Sequence, residues 1–113
     1  MDKASLFAAL APRVVLVSGI PAAIYVRELD GATRDKFDAW LRAHRGTDGE
    51  PSTDGMREFV AMLSACDAAG VRIFTDEDLP KLAELSSVAV TAIFEAAARL
   101  NGLLDTGEAK QGF

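Results

Sequence analysis

Between Ala23 and Trp40 the spacing of apolar and polar side chains changes in mid-stretch. Ile24, Val26 and Glu28 alternate with Tyr25, Arg27 and Leu29, the period of two that puts successive side chains on opposite faces of a strand. From Gly31 to about Arg45 the apolar positions Phe37, Trp40, Leu41 and His44 recur at intervals of three and four, with Arg34, Asp35, Lys36, Asp38 and Arg42 on the remaining surface. That is the pattern of an amphipathic helix. Asp30 stands at the change and accounts for it. Its carboxylate can accept from a free amide of the first turn, and its charge suits the positive end of the helix dipole. Asp38 and Arg42, four apart with the acid first, are expected to pair.

The same reading extends along the chain. Lys3 to Ala11 carries one or two helical turns, ended by Pro12. Val14 to Val17 is β-branched and apolar, and the SGIP that follows supplies turn chemistry. Together with Ile24 to Leu29 it predicts a β-hairpin, which is marginal alone and must lie on helices or join another chain's strands. Residues 46–55, GTDGEPSTDG, read as a flexible loop. A helix is predicted from Thr53 or Asp54 to Ala68, with Met56, Phe59, Val60, Leu63 and Cys66 or Asp67 on its apolar stripe. VRIF, residues 71–74, allows one short extra strand, pairing with the hairpin. Thr75 or Asp78 caps a helix that begins at Leu79, ahead of Pro80.

The last helix, Ser87 to Asn101, stops at Gly102. Its polar residues Ser87, Thr91, Glu95 and Arg99 form a single file, and Val88, Val90, Ile93, Phe94, Ala97, Leu100, Leu103 and Leu104 cover the rest. A helix this apolar needs neighbours on two sides, within its own fold or in another subunit. The expected architecture is mainly α (α+β), a small bundle of about four helices with an N-terminal hairpin. A tail, residues 105–113, shows no periodicity.

Length and composition add limits. A chain of 113 residues with half its residues hydrophobic supports one domain with a real core. Twelve Lys and Arg against seventeen Asp and Glu give a net charge of -5, which disfavours attraction to a phosphate backbone and argues against a nucleic-acid partner. The single cysteine, Cys66, has no intramolecular disulfide partner, so a reducing compartment is expected. Arg13 interrupts the N-terminal apolar run before an export signal is complete, and no run approaches the roughly 20 apolar residues that span a bilayer. The chain is expected to be soluble and intracellular.

Candidate chemistry is sparse. GxGxxG, GKS or GKT, HExxH and paired CxxC are all missing, so no cofactor, metal or catalytic residue is assigned and no enzymatic activity is expected. His44, the sole histidine, lies in line with Phe37 and Leu41 and reads as a helix-ending residue rather than an acid–base catalyst. Cys66, on an apolar stripe without basic neighbours, reads as a small buried residue. Asp76, Glu77 and Asp78 suit a helix start better than a cation site. Residues 48–59 fail as a calcium loop, since the twelfth position is Phe59.

Three ordered blocks, YVRELDGATRDKFDAW, DAAGVRIFTDEDLPKLAELS and IFEAAARLNGL, resemble the tail assembly chaperones of long-tailed bacteriophages and prophages. In that family a YVREL segment leads through a small or acidic residue and glycine into a helix. A segment ending in Phe, Thr or Ser and then DED follows, and a helix ending in Leu-Asn or Ile-Asn closes the series. The resemblance spans roughly residues 23–104 and leaves 1–22 unmatched, so residues 1–104 are expected to form one chaperone-like domain. It implies a helper that binds and solubilises the tape-measure protein and promotes polymerisation of the tail-tube protein around it. The helper would act in the host bacterial cytoplasm, as a homo-oligomer, and be absent from the mature virion. The rival readings are a structural tail-completion or head–tail connector protein, and a small ligand-binding module or enzyme built on His44 and residues 76–78. Partner contact is expected at Ile93, Phe94, Ala97 and Leu100, and strand pairing between subunits at Tyr25 and Val26.

Overall fold

A computed structural model of the chain describes residues 2–44 and 55–103. The loop expected at 46–55, apart from Gly55, and the tail expected at 105–113 lie outside the described residues, as does Leu104. Helix α1 (Lys3–Ala9) begins at Asp2, whose carboxylate accepts from the Ser5 amide at 2.8 Å. Strands β1 (Val14–Leu16) and β2 (Tyr25–Arg27) make the expected antiparallel hairpin, with Val15 opposite Val26. Helix α2 (Gly31–Ala43) starts at Asp30 as its position before the helical period predicts. The Asp30 carboxylate accepts from the Thr33 amide at 2.8 Å and from its hydroxyl at 2.7 Å. Those two bonds, and then the neighbouring Arg27 charge, hold its carboxyl below the usual range. The expected Asp38–Arg42 pair is replaced by one a turn earlier, Arg34 Nε to Asp38 at 3.5 Å.

Helix α3 (Met56–Ser64) ends earlier than predicted, and Cys66 is not on it. Ala65 and Cys66 form β3, antiparallel to β2, with Cys66 opposite Tyr25 and Ala65 opposite Val26. Seven consecutive residues, Val60 to Cys66, are buried. A run buried on every side carries no period, so its pattern cannot tell helix from strand. The change of conformation follows Ser64, whose hydroxyl turns back to donate to the Val60 carbonyl at 2.6 Å. Residues 71–74 are extended as expected, but they pair with β3 rather than with the hairpin. Cys66 bridges to Arg72, and the Ile73 amide donates to the Ala65 carbonyl at 3.1 Å. Gly70, at φ +86°, makes the turn between them, and the Asp67 carboxylate closes it by accepting from the amides of Ala69 and Val71.

A 3-10 turn, Asp76–Asp78, runs directly into α4 (Leu79–Leu82). Asp78 reaches back to accept from the Thr75 amide at 2.8 Å, so both suggested cap residues act in one capping box. Helix α5 (Ser87–Asn101) has the predicted bounds, with the Ser86 hydroxyl accepting from the Ala89 amide and Gly102 left-handed at φ +73°. The described fold is mainly α (α+β), five α-helices and a three-stranded antiparallel sheet in the order β1-β2-β3. Helices α3 and α5 pack on each other, and both meet the central strand β2. Val26, Val60, Met62, Leu63, Leu82 and Ala97 form the centre, each 0–1 % exposed.

Candidate interaction surfaces

The residues expected to meet partners fall mostly inside this fold. Ile93 and Ala97 are buried in the chain's own core, and Phe94 and Leu100 are half-buried against it. The polar file Thr91, Glu95 and Arg99 turns outward, and Thr91 accepts a bond from Arg57 at 3.2 Å. Val26 is fully buried and Tyr25 half-buried on β2, whose two edges are taken by β1 and β3. Folded, β2 has no edge left for a second subunit. Among the described strands, β1 pairs on one side only and forms an outer edge of the sheet. The Val17 amide donates to the Ile24 carbonyl and the Glu28 amide to the Arg13 carbonyl, both at 2.9 Å. Odd-numbered residues therefore face β2, and the alternation of an antiparallel ladder turns the main-chain groups of Val14 and Leu16 outward.

Two surface hollows are lined in part by exposed apolar side chains, and Val88, 73 % exposed, borders a third on α5. The first is a groove of about 510 Å³ between the β1 edge and α5. Leu16 and Val15 form one wall, Ala92, Ala96 and Leu100 the other, and Arg13, Glu95 and Arg99 stand on the rim. Arg13 is held by Glu28 at 3.0 Å, and that pairing keeps the Glu28 carboxyl below its ordinary range. Close by in sequence, α1 has no buried residue, with Phe7 67 % and Leu10 72 % exposed. The second surface is a hollow of about 370 Å³ between the segment after β3 and α4, lined by Ile73, Phe74, Leu82 and Leu85, with Asp78 and Lys81 at its edge. Ile73 is 45 % and Leu85 51 % exposed, and Val71 nearby is more so. Pattern reading missed these residues. Leu6, Phe7 and Leu10 belong to a segment with too few turns to show a face, and Ile73 and Leu85 are indistinguishable in sequence from residues that fold inward.

His44, Asp76 and Asp78 have structural partners. His44 ends α2, stacks on Trp40 with ring centroids 4.1 Å apart, and has Nδ1 2.9 Å from the Trp40 carbonyl. Trp40 stacks in turn on Phe59 at 5.3 Å. Asp76 pairs with Lys36 at 3.2 Å, and Asp78 serves the capping box. Among the described residues no group of three His, Cys, Asp or Glu is placed to hold a metal ion. Burial pushes the Cys66 thiol above its ordinary pKa, which lowers the thiolate fraction on which nucleophilic attack depends. No helix among the described residues is long and apolar enough to cross a membrane.

Two part-buried arginines and one asparagine hold these surfaces in register. Arg27 donates to the Gly70 carbonyl at 3.1 Å and pairs with Asp30 at 2.9 Å, tying β2 to the turn before the hollow. Arg72 donates to the Met62 carbonyl at 3.0 Å. Asn101 accepts from the Leu29 amide at 2.8 Å and donates to the Ala97 carbonyl at 2.9 Å, fastening the end of α5 to the junction of β2 and α2.

No protein-family model and no curated protein sequence matches the chain. A solved structure, that of the bacteriophage HK97 tail assembly chaperone, matches it with a TM-score of 0.57 and 12 % identity, over 88 % of this chain and 100 % of that one. At that identity the likeness is one of fold.

Proposed function

We propose that this chain is a tail assembly chaperone of a long-tailed phage or prophage. On this reading it holds amphipathic helices of the tape-measure protein in solution and promotes polymerisation of the tail-tube protein around them. It acts in the host cytoplasm and leaves before the virion matures. The observation that carries the proposal is the pairing of a fold shared with the HK97 chaperone with apolar side chains left in solvent around the Ile73–Leu85 hollow. The three sequence blocks support it separately. Because Ile93 and Ala97 are enclosed by the core, client contact is assigned to Val71, Ile73 and Leu85 instead.

Magnitudes shape the proposal. Fully burying three aliphatic side chains is worth roughly 5–9 kcal/mol, and about half of that when they are already half-covered. Association itself costs about 4–15 kcal/mol. One hollow therefore grips a client weakly, and tight holding requires several chains to act on one long client, where linkage raises avidity without new contacts. Weak individual contacts also suit a helper that must leave.

Co-expression with the tape-measure protein is the direct test. The client should move into the soluble fraction with the wild-type chain and stay insoluble with the I73D/L85D double variant, whose circular dichroism should match wild type. Equal solubility of the client with and without the chain removes the basis of the proposal. Mass spectrometry of purified virions should find no copies, and stoichiometric retention would assign the chain to the particle instead.

A further inference from the structure

We infer that α1 is an exchange arm, seated in the groove between β1 and α5 of a second copy of this chain. The inference goes beyond the chaperone reading and does not depend on the client. Its first support is that α1 is a helix of seven residues with none buried, whereas isolated helices shorter than about 12–15 residues are marginal in water even when alanine-rich. The exposed Asp2 carboxylate satisfies one amide of the first turn, that of Ser5, too little to hold such a helix. Packing has to come from elsewhere, because among the described residues the chain buries no side chain of α1.

The groove has the matching shape and charge. Leu6, Phe7 and Leu10 gather on one side of α1 and are all exposed. Facing residues in the groove are exposed Leu16 and the small side chains Ala92 and Ala96, one turn apart on α5, which allow close approach of a helix axis. The stretch from Ala92 to Arg99 rises about 10 Å, the length of a seven-residue helix. Glu95 and Arg99 form no ion pair among the described residues, and α1 brings one acid, Asp2, and one base, Lys3, at its start. Placing Asp2 at Arg99 sets α1 antiparallel to α5, the orientation that their dipoles also favour. Pro12 stiffens the joint between α1 and β1, and no residue of α1 lines the groove of its own chain.

Donor and acceptor are different surfaces, so each copy offers one of each, and the contact either closes on itself or propagates. Analytical ultracentrifugation without any client tests this on three proteins: wild type, a chain lacking residues 1–10, and the groove variant L16D, with A92E as a second groove variant. Thermal melts check that each variant folds. Wild type should associate with increasing concentration, and each variant should weaken association by more than about tenfold. A mixture of the arm-less chain with L16D should form a complex that stops at two chains, because only one intact arm and one intact groove remain. Wild type that stays monomeric at all concentrations overturns the inference. So does association that survives loss of the arm, or a mixture that stays monomeric while wild type associates. Because no client is present, these outcomes leave the solubility test of the chaperone reading untouched.

Discussion

Asn101 is the residue whose loss the fold should register most clearly for its size. Its side-chain oxygen is the acceptor for the Leu29 amide at 2.8 Å, and no other acceptor for that amide is recorded among the described residues. Replacing Asn101 with Ala strands a part-buried donor at a cost of about 1–3 kcal/mol. Alanine's better helix propensity returns about 0.5 kcal/mol, so the net loss is about 0.5–2.5 kcal/mol. With an unfolding entropy near 2.1 cal/mol/K per residue, a domain of about 100 residues loses roughly 5 °C in Tm per kcal/mol. N101A should therefore melt about 2–12 °C below wild type, and the Leu29 amide should lose its protection from hydrogen exchange. N101D is the informative companion. Its carboxylate can still accept from Leu29, but it cannot donate to the Ala97 carbonyl, and it puts negative charge at the C-terminal end of α5. It should also destabilise, yet keep the Leu29 amide protected. An N101A protein that melts within about 1 °C of wild type, with Leu29 still slow to exchange, would refute the assigned role.

Other substitutions test neighbouring parts of the argument. G70A places a Cβ 3.3 Å from Val14 Cγ2 on a backbone at φ +86°, and should cost about 1–2 kcal/mol, read as a lower urea midpoint with unchanged m-value. D30A removes the α2 cap and the partner of Arg27, for a loss of about 0.5–2 kcal/mol. Because the folded Asp30 carboxyl is depressed, this contribution is complete above the unfolded value of about 3.9 and fades as pH falls through the lower folded value. Denaturation curves of wild type and D30A should accordingly converge in acid and differ at neutral pH. Cys66 is fully buried with its thiol pKa raised, so a thiol reagent at neutral pH should label it only as fast as the chain opens. Immediate labelling of the native protein would contradict its place in β3.

Local chemistry alone determined several elements. Asp30 before a three-and-four period specifies where α2 begins, and Gly102 after an apolar run specifies where α5 ends, because caps and left-handed stops act over a single turn. The β1–β2 hairpin and the mainly helical class are legible for the same reason. Tertiary structure decided what locality leaves open. Ala65 and Cys66 lie at the end of a helical stripe, yet they are pulled into the sheet because the free edge of β2 needs amides and carbonyls, a demand that comes from a strand about forty residues away in sequence. Burial was decided in the same way. The α5 pattern shows abundant apolar surface, but only packing against α3 and β2 assigns Ile93 and Ala97 to the interior and leaves Val88 73 % exposed. Hydrophobic attraction is non-directional, so a sequence states how much surface must be covered, and the fold chooses which surface stays bare.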